Sequence, residues 1–163
     1  MNELKANLAE LRGRLVPDDV VEEVISDDTA EEVLKGNRPS IASRSWPKSA
    51  KKNAYYSLTV LNPTSQAFRN VHLTIIFTPG FASNQDKSLV NSALAARDHG
   101  IPTYTSDSIT LPANSITPVR IEFPIPELLP PNFKFLVLGL LWGSHSDITE
   151  HYYDVQQFWI KKL

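Results

Sequence analysis

From residue 54 onward the apolar side chains recur at every second position, and that period decides the fold class. Tyr56, Leu58 and Val60 alternate with Tyr55, Ser57 and Thr59. Val71, Leu73, Ile75 and Phe77 alternate with Asn70, His72 and Thr74, and Val119, Ile121 and Phe123 with Arg120 and Glu122. Successive side chains of a strand point to opposite faces, so each run reads as a strand with one buried face. Ile109 and Leu111 make a further short strand. A last one spans 152–160 and changes parity near Gln156-Gln157, where a bulge is expected. Asn62-Pro63-Thr64-Ser65, Pro79-Gly80 and Pro112 supply the turns. A parallel sheet would need a helix at each crossover, and only residues 86–98 (Leu89, Val90, Ala93, Leu94) offer one in this region. The expected fold is mainly β: an antiparallel, immunoglobulin-like sandwich carrying one inserted helix and a short α-helical N-terminal arm.

One strand departs from the alternation. Phe133, Phe135, Val137 and Leu141 lie on one parity, while Leu136, Leu138, Leu140 and Trp142 lie on the other. A two-layer sandwich wets one face of each sheet. Each Leu left in water forfeits about 1.5–3 kcal/mol, so this second face must be covered. Three covers are open: N-terminal helices, the helix near 86–98, or another subunit. A ligand groove is the fourth possibility. Ile76, outward on its own strand, is placed to join the same patch.

Before residue 54 the period is helical. Leu4, Leu8, Leu11 and Leu15 step by four, three and four, the spacing of a heptad seam. Pro17 suits the first turn of a second helix whose apolar face is Val20, Val21, Val24 and Ile25. Asp27-Asp28-Thr29 reads as the N-cap of a third, with Glu31 or Glu32 completing a capping box and Gly36 as the stop. Charge divides the chain in the same places. Residues 1–35, an acidic helical arm, hold ten acidic side chains against four basic ones. Residues 36–53, read as a basic linker, hold Arg38, Arg44, Lys48, Lys51 and Lys52 and no acid. Residues 54–163, the sandwich domain, are nearly balanced. Opposed blocks of this kind neutralise each other within a chain or between subunits.

The chain contains no cysteine, so disulfides, thiolate metal sites and cysteine nucleophiles are excluded. Its net charge of −2 argues against a general nucleic-acid binder. It has no apolar run long enough to span a bilayer and no secretory leader, so a cytoplasmic protein without membrane attachment is expected. No phosphate-binding glycine loop, nucleophile elbow or zinc-helix motif occurs. The polar stretch 143–151 could bring His145, Asp147, Glu150 and His151 together, a set suited to a divalent metal or to acid–base work. It is equally what a hairpin loop holds, and no metal or other cofactor is expected. Trp142 and Trp159 lie among apolar neighbours and read as core; Trp46, between Arg44 and Lys48, reads as a partner anchor or as a ring folded back onto the sandwich.

The segment Tyr56-Ser57-Leu58-Thr59-Val60-Leu61-Asn62-Pro63-Thr64-Ser65, followed by Phe68-Arg69-Asn70-Val71-His72-Leu73-Thr74-Ile75, resembles a strand–turn–strand unit of immunoglobulin-like and fibronectin-type-III-like modules. Leu111-Pro112-Ala113-Asn114-Ser115 with Val119-Arg120-Ile121-Glu122-Phe123 is similar to another of their strand edges. The resemblance covers residues 54–163 and implies an interaction module rather than a catalyst. The leading expectation is a non-enzymatic binding or assembly protein, with another protein or a second copy as partner. Leu4, Leu8, Leu11, Leu15, Leu136, Leu138 and Leu140 are the candidate assembly residues. One alternative is a carbohydrate or small-ligand module using Trp46, Trp142 and the loop residues His145, Asp147, Glu150 and His151. Another is a structural component of a phage-like particle.

Overall fold

The structure, a computed structural model, describes residues 4, 6, 7, 10, 11, 16–78, 103–127, 131–144 and 150–163. Its strands form two sheets. The first has the order β1 (Val20–Val24), β2 (Ser40–Pro47), β4 (Asn53–Asn62), β8 (Ser115–Pro124), all antiparallel. The second has the order β3 (Ser49–Ala50), β10 (Glu150–Lys162), β9 (Lys134–Ser144), β5 (Phe68–Thr78), β6 (Thr103–Thr105), and β7 (Ile109–Leu111) also pairs with β5. β3 runs parallel to β10, and the other pairings of this sheet are antiparallel. Among the described residues, α1 (Asp27–Leu34) is the one helix of eight residues, and Leu4, Ala6, Asn7, Glu10 and Leu11 are also helical. No helix among them is long and apolar enough to cross a membrane.

The alternating runs place their apolar parity between the sheets. Tyr56, Leu58 and Val60 of β4 and Val119, Ile121 and Phe123 of β8 meet Leu73, Ile75 and Phe77 of β5, Phe135 and Val137 of β9, and Phe158 and Ile160 of β10. Tyr56 and Phe158 stack across the two layers at 4.3 Å. This shared core makes the molecule a β-sandwich, as the period-two pattern predicts. Gly139 sits on the inward parity of β9 beneath the Tyr56 ring, where a Cβ would lie 2.6 Å from Cε2. The ring occupies the space that a side chain would take.

Four expectations are corrected. Residues 20–24 form strand β1, not a helix: Val20, Val21 and Val24 fit a helical face, but β-branched side chains favour the pleat. Here β1 pairs with Ser43–Pro47, turning Val21 into the core and Glu23 toward Arg44. Residues 36–53 are not a bare linker, because they supply β2 and β3. Ser26, one residue earlier than expected, caps α1, its Oγ accepting from the Thr29 N–H at 3.2 Å; Gly36 does close the helix, donating to the Val33 carbonyl. The bulge of β10 lies between Tyr152 and Asp154 rather than at Gln156-Gln157. Tyr153 therefore joins the main core while Val155 turns to the opposite face.

Both faces of β9 are dry. On the second face Leu138, Leu140 and Ile76 are 0, 3 and 1 % exposed and pack with Trp142 and Val155. This burial is reached within a single chain. The N-terminal helices contribute to the other sheet: Leu4, Ala30 and Leu34 pack on Ala42 of β2 and Leu61 of β4, with Leu11, Ile25 and Ile116 at the margin. The helix expected at 86–98 lies outside the described residues.

Candidate interaction surface

The residues expected to carry assembly are largely consumed by the fold. Leu4 is buried and Leu11 half-buried against the first sheet, and Leu136, Leu138 and Leu140 are buried, so they present no surface to a partner in this conformation. Leu8 and Leu15 lie outside the described residues, as do His145 and Asp147. The backbone of Glu150 and His151 belongs to β10. No group of three His, Cys, Asp or Glu side chains able to hold a metal occurs among the described residues.

Of the two readings open for Trp46, the ring folded back onto the sandwich is the one found: it is 6 % exposed in β2, packed on Phe158 at 5.2 Å. Trp142 is half-buried, stacks on His72 at 4.8 Å and donates its indole N–H to Thr74 Oγ1 at 2.8 Å. Trp159, expected in the core, is 46 % exposed. Its alternation with the buried Phe158 and Ile160 explains this. The parity that carries Phe158 and Ile160 inward sends Val155 and Trp159 outward.

Next to Trp46 lies a polar cluster reaching from the buried Tyr56 hydroxyl to the exposed Glu23. Arg44 donates from Nε and Nη2 to Glu23 Oε1 at 2.8 and 2.6 Å, and from Nη1 to the Gln157 carbonyl at 2.9 Å and Tyr56 Oη at 3.3 Å. Its guanidinium carbon sits 4.7 Å from the Trp46 ring centroid. Burial lowers the Arg44 pKa, but the Tyr56 oxygen and the Glu23 carboxylate outweigh it and leave it raised. Burial pushes the Tyr56 hydroxyl up to about 12, Arg44 opposing. With these partners Arg44 pins β1 and β2 to β10 across the sandwich. A cavity of about 170 Å³ beside it is lined by Glu23, Ile25, Ile41, Ala42, Arg44 and Gln156. Its cation is already engaged, so the cluster is a clasp between layers rather than a receptor for an anion.

A wider, open groove of about 420 Å³ runs between the edge strands of the two sheets, from Thr105–Ile109 on one side to Pro118–Glu122 on the other. Its charged groups are mixed: Asp107, Glu122 and Arg120. Arg120 also lies over the Tyr55 ring at 4.2 Å and pairs with Glu122 at 3.3 Å.

The most unbalanced surface is one end of the sandwich. Register pairs Lys161 with Lys134 on one side and with Ser49 on the other, and Lys162 with Ala50. The Lys161 N–H donates to the Lys48 carbonyl, Leu163 N–H to Ala50, and Ile125 N–H to Lys52. These bonds gather Lys48, Lys51, Lys52, Lys134, Lys161 and Lys162 at the same end. Lys162 is occupied, its Nζ donating to the Pro126 and Glu127 carbonyls at 3.1 and 2.9 Å. Among the described residues the other five lysines enter no ion pair. Among the described residues the carboxylates nearby are Asp18, Asp19 and Glu127, whose neighbourhood is set by the Lys48 and Lys162 contacts to the Asp19 and Glu127 carbonyls, so lysines outnumber them. Phe133, whose carbonyl accepts from the Lys162 N–H, and Trp159, two residues before Lys161, add exposed aromatic rings at 46 % each. Sequence reasoning found the cation run 36–53 but missed Lys134, Lys161, Phe133 and Trp159. Their proximity depends on the β3–β10–β9 register, which no local pattern encodes.

Comparison with family models, curated proteins and solved structures gave no match to this chain.

Proposed function

We propose that this chain is a non-enzymatic protein-interaction module whose recognition surface is the lysine-rich end of the sandwich. The observation that carries the reading is the convergence there of Lys48, Lys51, Lys52, Lys134 and Lys161, without ion pairs among the described residues, on exposed Phe133 and Trp159. Exposed aromatic rings beside lysines suit an acidic partner: the rings supply contact area, the charges steer and set register. The strand order supports the finer reading of an immunoglobulin-like module. β2-β4-β8 and β10-β9-β5 occupy the places of strands A-B-E and G-F-C of that fold.

A labelled oligoglutamate peptide tests the surface directly. Fluorescence anisotropy should report binding at low salt that weakens steeply at high salt, with a change in tryptophan emission from Trp159. The variant Lys51→Glu/Lys52→Glu should lose that binding, and an oligolysine control should show none. Absence of binding at low salt, or binding indifferent to the charge reversal, would overturn the reading.

A further inference from the structure

We infer that the acidic partner is a second copy of this chain, docking head to tail: the α1 end of one molecule on the lysine end of the next. The inference rests on the reading of the lysine end as the recognition surface and supplies its occupant.

Both complementary surfaces are present on the same molecule, and the fold keeps them apart. α1 carries Asp27, Asp28, Glu31 and Glu32, all exposed, while Ala30 and Leu34 hold it on Ala42 and Leu61. Among the described residues of this end, Lys35, Arg38 and Arg69 stand against these four carboxylates and Glu10, so carboxylates are in excess by five to three. Leu61 lies at the finish of β4 and Lys52 immediately before its start. Ten residues of strand separate the ends by roughly 30 Å, at about 3.3 Å per residue. The Debye length at physiological salt is about 8 Å, so the two charge excesses cannot neutralise each other within one molecule. Glu23 of the acidic block already pairs with Arg44 of the basic one within the molecule; the α1 carboxylates and the lysine end find their complement only between molecules.

The geometry fixes the kind of assembly. The two patches are different surfaces at opposite ends, so their contact is heterologous. Docked end on end, it propagates as an open chain or closes as a ring. The exposed rings of Phe133 and Trp159 lie on the receiving end, where they add apolar contact to the charge pairing.

Charge exchange tests this with the full chain. In light scattering coupled to size exclusion, the unmodified protein should grow in mass with concentration and dissociate at high salt. Glu31→Lys/Glu32→Lys has two basic ends, and Lys51→Glu/Lys52→Glu has two acidic ones. Each alone should associate roughly tenfold or more weakly than the unmodified chain, and an equimolar mixture of the two should restore association. All four positions are exposed, and unchanged thermal melts would confirm that the variants fold. The salt titration of the unmodified chain stands even if a variant does not. A protein that stays monomeric at every concentration and salt overturns the inference. If it nonetheless binds oligoglutamate, the surface serves a different acidic protein and the functional reading survives; if it binds neither, both fall. A discrete two-fold dimer, or a mixture that fails to re-associate, also overturns head-to-tail docking.

Discussion

At the scale of single residues, Tyr56 concentrates the fold's constraints. Its ring stacks on Phe158, fills the space above Gly139 and delivers its hydroxyl to Arg44. Burial raises its pKa from 10.0 to about 12. The sign follows directly. Below pH 10 the hydroxyl is neutral in both folded and unfolded chains, and stability is unaffected. Between 10 and 12 only the unfolded chain ionises, so stability falls as pH rises, by up to about 3 kcal/mol from this group. Denaturant titrations across alkaline pH should show that loss, and Tyr56→Phe should remove most of it. The alternation of β4 makes Tyr56 legible as a core residue from sequence. Nothing local marks Arg44 as its partner: it lies 12 positions earlier on the neighbouring strand, and the Gln157 carbonyl that holds it is 113 positions away. Val155 was misplaced for a related reason: a strand's parity is known only once its bulge is placed, and one residue of shift exchanges inside for outside.

At the scale of elements, turn chemistry proved easier to read than the identity of short apolar runs. Asn62-Pro63-Thr64-Ser65 is a turn as its residues suggest, and Asn62 is wholly buried at its start. Its Nδ2 donates to the carbonyls of Gln66, Pro112 and Leu111 at 2.8, 2.9 and 3.3 Å, and its Oδ1 accepts from Thr64 N and Oγ1 at 3.1 and 2.8 Å. One side chain thus joins the end of β4 to the ends of β5 and β7. Asn62→Ala would strand buried carbonyls, and chemical denaturation should report a loss of about 3 kcal/mol. β1 shows the opposite case. Five residues with valines in pairs satisfy a helical stripe and a strand equally well, and only the free edge of β2 decides between them. α1 was legible because its cap, acidic first turn and glycine stop are all local signals.

At the scale of the whole molecule, the strand with apolar residues on both parities was the most telling line of the sequence, and the structure gives it two dry faces. What covers the second face was not legible, since a surplus of leucine specifies burial but not the partner. Leu138, 0 % exposed and in contact with Ile76 and Leu140, measures how firmly that face is packed. Leu138→Ala should cost about 2–5 kcal/mol, read as a lowered midpoint in thermal or denaturant unfolding without change in the assembly state of the folded protein. The division into acidic and basic blocks was visible in sequence from the start. That Glu23 of one pairs with Arg44 of the other, while the α1 carboxylates and the clustered lysines lie at opposite ends of the sandwich, became visible only with the strand order.

The short parallel pairing of β3 with β10 has a consequence in time. Ser49 and Ala50 find their hydrogen-bonded neighbours at Lys161 and Lys162, and the rings of Trp46 and Tyr56 find theirs at Phe158. The earliest strands of the sandwich therefore stand with half their core missing until the last strand leaves the ribosome. Such long-range closure places the chain among slow folders, on the scale of milliseconds to seconds. It also makes the nascent β2 and β4 the stretch most in need of a chaperone's protection.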